Sequence, residues 1–333
     1  MSRTRTSRTS TSSTRSTATV TVAAAVLTDP LEDVRPEGRA SVVLKRFVRK
    51  RGALVGAVVL VLLFLLAFVG PYLSPWTYSH IDYGAQRVGP GAEHWWGTNR
   101  IGQDVFAQTV RGLQKSLVIG ALVAFFSTVL ASLVGACAGY FGGWTDRVLM
   151  FGVDLLLVFP AFLIIAIVSP RMRGGGWLAF VALLVVFGWM ITARVVRSMT
   201  VSLKERTFVR AARYMDVGHF RIIWRHILPN CASFLIIDAT IAVGGAVMSE
   251  TALSYFGFGV QAPDVSLGTL ISSGTGAAVT YPWMFFFAAG LLVVFVLAVN
   301  LVGDGLRDAL DPTGRQTKKH KNSRTKSKKD VSA

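Results

Sequence analysis

Asp154, Asp238, Glu250 and Asn300 each stand inside a long apolar block of the chain. A charge in hydrocarbon is costly, so such residues usually face a bundle interior or a wet cavity. There they can line or gate the route of a charged solute, or hydrogen-bond a neighbouring helix. Asp238, Glu250 and Asn300 are the candidates for a translocation path. For Glu250 the two readings stand level, whereas Asp154, close to a membrane edge, and Asn300 read first as interhelical contacts. Other chemistry is thin. The five histidines are scattered, and none has a second histidine or cysteine at ligand spacing. Cys137 and Cys231 lie in or beside apolar segments, where small buried thiols are common, and they give neither metal spacing nor a disulfide framework. ATP hydrolysis of the common type needs a phosphate-cradling loop ending in Gly-Lys-Ser/Thr, and no Gly-Lys pair occurs. The chain is therefore expected to hold no catalytic residue, no metal and no cofactor.

Those polar residues must be positioned by membrane-spanning elements. Of 333 residues 52% are hydrophobic and 16% charged, against about 25% charged in ordinary soluble domains. Segments 52–79, 116–145, 174–193 and 265–303 contain no Asp, Glu, Lys or Arg. Blocks 148–170 and 231–259 are interrupted only by Asp154 and by Asp238 and Glu250. A crossing needs about 20 apolar residues, so the expected fold is all-α and polytopic, with six spans near 53–70, 117–139, 148–168, 177–194, 232–256 and 283–303. The first apolar run starts some fifty residues in, too late for a secretory signal. Pro160 and the Gly244-Gly245 pair mark expected bends or close helix packing.

The formal net charge is +17, and its distribution decides its meaning. Residues 45–51, 194–225 and 315–329 hold 21 of the basic residues, and all three clusters flank apolar runs. Lys and Arg are retained on the cytoplasmic side, which predicts both termini inside, with Arg171 and Arg173 dissenting. Basic residues that track membrane edges speak against a nucleic-acid-binding protein. Residues 1–44 are expected to be a disordered Ser/Thr/Arg-rich cytoplasmic arm and 313–333 a Lys-rich tail of the same kind, with anionic lipid a possible partner of the tail. Two outer segments are expected, 71–115 and 260–282, the second a loop or re-entrant piece.

The cytoplasmic stretch 207–230 reads TFVRAARYMDVGHFRIIWRHILPN. Small Ala211 and Ala212 suit a short helix, a break is expected near 216–218, and an amphipathic turn ends at Pro229. Arg221, Arg225 and His226 alternate there with Ile222, Ile223, Ile227 and Leu228 at helical spacing. A basic amphipathic segment could also simply lie on the inner leaflet.

Arg210-Ala211-Ala212, Asp216 and Leu228-Pro229 stand where the inner-membrane permeases of binding-protein-dependent ABC importers carry their shared cytoplasmic loop, and the chain resembles that family. Two residues depart from its pattern: Arg210 replaces an acidic residue and Asp216 a glycine. Asp is among the few other residues that visit left-handed backbone. Residues 94–99 (HWWGTN) with Gly102-Gln103-Asp104 are similar to an outer signature of the dipeptide/oligopeptide branch, which usually has Asp at 99 and Arg at 103. Residues 139–144 (GYFGGW) with Asp146-Arg147, Asp154 through Pro160, and 300–312 (NLVGDGLRDALDP) extend the resemblance over residues 45–312.

The resemblance implies a type I ABC importer permease fold in a bacterial cell membrane. It implies that Arg210, Ala211, Ala212, Arg213, Tyr214, Met215 and Asp216 dock on an ATPase subunit, so that Ala212→Arg should uncouple hydrolysis from uptake. The implied partners are a second homologous permease in a heterodimer, two ATPase subunits holding ATP and Mg, and an extracytoplasmic substrate-binding protein. Peptides are the implied substrates, although related permeases carry glutathione, nickel chelates or haem. The rival class, a self-sufficient secondary transporter or channel, would be expected to show an inverted repeat or matched broken helices, and no convincing repeat is found.

Overall fold

The computed structural model describes residues 39–171 and 176–310. The expected arm and tail, Arg173 and Pro312 lie wholly or largely outside these residues. Among the described residues the structure is helical with no strand, apart from an isolated bridge between Thr98 and Asp104. Residues 39–42 form one compact unit's described portion, the first turn of helix α1 (Arg39–Val48), and the rest of the description concerns residue 43 onward.

Four helical stretches are long and apolar enough to cross a membrane: α2 (Arg51–Val69, extended by a 3-10 turn to Tyr72), α3 (Val105–Phe141), the run His219–Tyr255, and α12 (Trp283–Leu310). Two bent pairs bring the count to six when each pair is one span: α4 (Gly143–Val158) with α5 (Ala161–Val168), and α6 (Gly176–Gly188) with α7 (Met190–Lys204). The third expected span is thus not one rod. Its two parts meet at 77°, because Pro160 has no N–H to donate and excludes α backbone from Phe159, which is extended at φ −79°, ψ 130°. The fourth bends by 44° at Trp189, and its second half runs ten residues past the expected end at 194.

The second expected span is the middle of a longer helix. α3 has 37 residues, about 55 Å at 1.5 Å per residue, well beyond a hydrocarbon core of about 30 Å. It starts at Val105 because the Asp104 carboxylate accepts from the Ala107 N–H at 2.7 Å, a side-chain N-cap. The last part of the first expected outer segment, 105–115, therefore forms the opening turns of α3. The second outer segment holds a helix, α11 (Leu267–Thr275), opened by a reciprocal capping box between Ser266 and Thr269; Leu267, Leu270 and Ile271 bury it against Leu113, Val247, Phe295 and Val299.

α3 is the central helix, packed against α7, the His219–Tyr255 run, α6, α11 and α2. Small residues make this possible. A Cβ at Gly139 would lie 2.7 Å from the Arg197 carbonyl oxygen, and one at Gly135 2.9 Å from Val196 Cβ. Backbone approach of this kind is how helices associate where lipid supplies no hydrophobic drive. Gly244, half of the expected glycine pair, likewise meets Val299 of α12, while its helix runs through both glycines without a break.

Candidate functional site: the elbow at residues 207–230

The elbow is built from two short helices held by one apolar cluster. α8 (Thr207–Tyr214) turns Val209 and Ala212 inward, where they pack with Ala136, Tyr140, Val196, Ile222, Ile223, Ile227 and Cys231. Spacing of three along a helix puts these two on one face. Arg210, Ala211, Arg213, Tyr214, Met215 and Asp216 are exposed. Of the two alanines expected to meet a partner, only Ala211 is at the surface; Ala212 is 2% exposed, and its smallness serves internal packing. An arginine at 212 would strike the cluster beneath before it reached a partner.

The break after α8 has a definite form. Asp216 adopts φ +54°, the Val217 N–H donates to the Ala212 carbonyl and the Asp216 N–H to the Arg213 carbonyl, both at 3.1 Å. This pair of bonds is a Schellman motif with its left-handed position at Asp216, so the replacement of glycine leaves the turn in place. Helix α9 (His219–Ile222) then passes through a π turn at Ile223–Ile227 into α10 (Leu228–Tyr255). The expected turn does not end at Pro229. Proline cannot donate to residue 225 and its ring crowds that carbonyl, and the wider π turn just before it carries the helix past the obstruction. Ile222, Ile223 and Ile227 are buried, as the amphipathic spacing predicts.

The motif at 139–147 seats this elbow. Tyr140 shares a hydrogen bond of 2.9 Å with His219 Nδ1 and lies under the Arg213 guanidinium at 5.4 Å. Lys204 donates to the Gly139 carbonyl, and Arg197 makes two bonds to the Asp146 carboxylate. Gly142 and Gly143 both have left-handed φ, +65° and +54°, which reverses the chain between α3 and α4.

Sequence reasoning missed the apolar side of the elbow surface. Phe208, Tyr214, Met215, Phe220 and Trp224 are exposed, Tyr214 by 83% and Trp224 by 61%. Phe220 and Trp224, four residues apart opposite the buried isoleucines, carried the signal.

At the other end, the outer signature folds into a cap. His94 is buried between Asp104 at 2.8 Å and Asp82 at 3.7 Å and stacks on Trp76. Trp96 stacks on Phe287 of α12, and Trp283 donates to the Thr98 carbonyl at 3.1 Å. Asn99 donates to Gln103 Oε1 at 2.9 Å, so the two departures from the branch pattern meet as a neutral amide pair.

The path candidates fare differently. Glu250 is fully buried; Ser116 of α3 and Ser254 donate to it at 3.2 and 2.6 Å, and the Ser116 oxygen accepts from the Leu267 N–H at the start of α11. It ties three helices together. Asn300 is exposed and donates to the Val296 carbonyl of its own helix, not to a neighbouring helix as expected. Asp154 pairs with Arg194 on α7, the interhelical bond expected. Asp238 is half-buried and accepts from Thr192 of α7 at 2.9 Å.

A family model described as "Binding-protein-dependent transport system inner membrane component" matches residues 127–316, and one described as "N-terminal TM domain of oligopeptide transport permease C" matches residues 39–90. The chain is 53% identical over 282 residues to a protein of Mycobacterium tuberculosis named "Oligopeptide transport system permease protein OppC", covering 84% of this chain and 97% of that protein. A protein of the same name from Bacillus subtilis is 34% identical over 271 residues, covering 81% and 88%. A "Putative peptide permease protein" of Brucella suis is 35% identical over 269 residues, covering 80% and 89%. Among solved structures, the MetNI methionine ABC transporter in inward-facing conformations aligns at a TM-score of 0.49 and 22% identity, covering 61% of this chain and 96% of that one.

Proposed function

Since the chain belongs to the family of inner membrane components of binding-protein-dependent transport systems, we propose that it forms half of a translocation pathway for oligopeptides and couples that pathway to separate ATPase subunits by alternating access. The elbow is the observation that carries the reading. A folded, rigidly seated surface presents exposed aromatics among arginines at one end of the helix bundle; bare apolar rings of this size generally mark a protein contact. Seating on α3 through Tyr140 and on α7 through Val196 gives a push at the elbow a direct route into two spans.

In this reading Arg210, Ala211, Arg213, Tyr214, Met215 and Asp216 touch the ATPase and Ala212 supports them from beneath. ATP and Mg are held by the ATPase subunits, a second permease completes the pathway as a heterodimer, and an extracytoplasmic binding protein delivers the peptide. Of the three path candidates, Glu250 is sealed inside the bundle, whereas Asp238 and Asn300 keep the exposure that contact with a solute requires.

The test replaces Ala211 by Arg in the complex reconstituted with its partner subunits. ATPase subunits should be lost from detergent-purified complex and peptide uptake should fall about tenfold or more, with thermal unfolding of the permease unchanged. Retained ATPase and normal uptake would sink the docking role, and peptide flux through liposomes holding this chain alone would sink the half-pathway.

A further inference from the structure

The acidic residues within the spans are compensated unequally. Asp146 has Arg197, Asp154 has Arg194, and Glu250 has the hydroxyls of Ser116 and Ser254. Asp238 has one hydroxyl, from Thr192, and among the described residues no Lys, Arg or His pairs with it. It lies six residues beyond Ala232, where the expected fifth span begins, or about 9 Å along the helix at 1.5 Å per residue. A carboxylate placed within a span and left half-open is costly unless something polar faces it.

Its surroundings say what kind of space that is. At 100° per residue Asp238, Ile241, Gly245, Ser249 and Ala252 fall on one face of α10, within about 80° of one another. Gly245, Ser249 and Ala252 are exposed and a Cβ at Gly245 would meet nothing within 4 Å, while Ile241, at the edge of this face, is exposed in part of its surface and lies close to Gly303 of α12. The opposite face is packed against α3 and α12 through Val247, Glu250 and Gly244. A stripe with a carboxylate, a hydroxyl and two residues without bulk is unsuited to lipid tails and leaves room beside the charge. The Thr192 bond uses one of about four acceptor positions on a carboxylate. A donor that brings positive charge would use the others and cancel the cost at the same stroke.

Resting on the pathway reading above, we propose that Asp238 is a selectivity residue of this permease: it receives the ammonium groups of a passing peptide, the lysine side chain as well as the amino terminus, and so favours cationic over neutral peptides during passage. The stripe from Asp238 to Ala252 is the part of α10 that faces the pathway.

The experiment measures ATP-driven uptake of a lysine-containing tripeptide and of its norleucine counterpart by the full complex in liposomes, each relative to the unaltered complex. Asp238→Asn should lower uptake of the lysine peptide about tenfold, the effect of a charge contact of ordinary strength, and that of the norleucine peptide less than threefold. Asp238→Glu should restore the lysine peptide. Equal loss for both peptides would make Asp238 a structural residue and overturn the proposal, as would no loss for either or a selective loss that Glu fails to repair. If the Asn variant does not assemble, Ser249→Lys places a fixed cation on the same face and must reduce lysine-peptide uptake more than norleucine-peptide uptake; equal reduction overturns the proposal. An unaltered complex that takes up neither peptide would instead refute the peptide-permease reading.

Discussion

Asp216 holds left-handed backbone at the turn between α8 and α9, a conformation that costs a residue with a Cβ about 1–2 kcal/mol, less for Asp, and glycine almost nothing. Asp216→Gly should therefore raise the stability of the purified permease by up to about 1 kcal/mol, and Asp216→Val should lower it by about 1–2 kcal/mol; thermal unfolding in detergent reads both. The need for this backbone was legible from the family pattern, because one glycine after a short helix has a single common geometry. The inward turn of Ala212 was also within reach, since Val209 lies three residues before it. What the residue types alone did not reveal was Glu250's fate: its burial depends on Ser116 in another helix and on the approach of the α11 start.

At the scale of elements, the contact of α3 with α7 rests on two glycines one turn apart, Gly135 and Gly139. Gly139→Leu should force the helices apart at the end where Tyr140 holds the elbow. Overpacking of this kind costs about 1–3 kcal/mol or more, and uptake should fall together with thermal stability, whereas Gly245→Ala on the open side of α10 should change stability by less than 1 kcal/mol. The break at Pro160 could be read from the sequence because proline acts locally. The true start of α3 could not. Gln108 and Lys115 are too polar for a membrane span by type, yet Gln108 bonds Gln103 and Lys115 pairs with Asp264 from the second outer segment at 2.8 Å while lying 4.5 Å over Trp177. Bonds to side chains outside the helix satisfy groups that argued against extending the apolar run.

For the whole molecule, the chain is a multi-pass membrane protein with two chemically different ends. One gathers the elbow, the start of α2 and the end of α12, where Lys50 pairs with Asp308; the other gathers the tryptophan-rich cap and α11. The distribution of Lys and Arg predicts a cytoplasmic elbow. In intact cells a cysteine at Met215 should resist a membrane-impermeant thiol reagent while one at Tyr83 reacts, and permeabilised cells should label both; labelling of position 215 from outside would invert the topology. Free Cys137 and Cys231 are half-buried and buried and are replaced by Ser beforehand.

The elbow in the third crossing has a consequence for what can lie beside it. Where α4 stops at Val158 and α5 starts at Ala161, helix geometry strands the last carbonyls of one rod, and Ala161 and Phe162 have amides with no turn behind them; the Pro160 oxygen takes up only Leu163 and Ile164. Hydrocarbon offers such groups nothing, and each one unanswered costs several kcal/mol. That corner calls for water or a polypeptide surface beside it, and bare lipid on that side would be the costliest neighbour it could have.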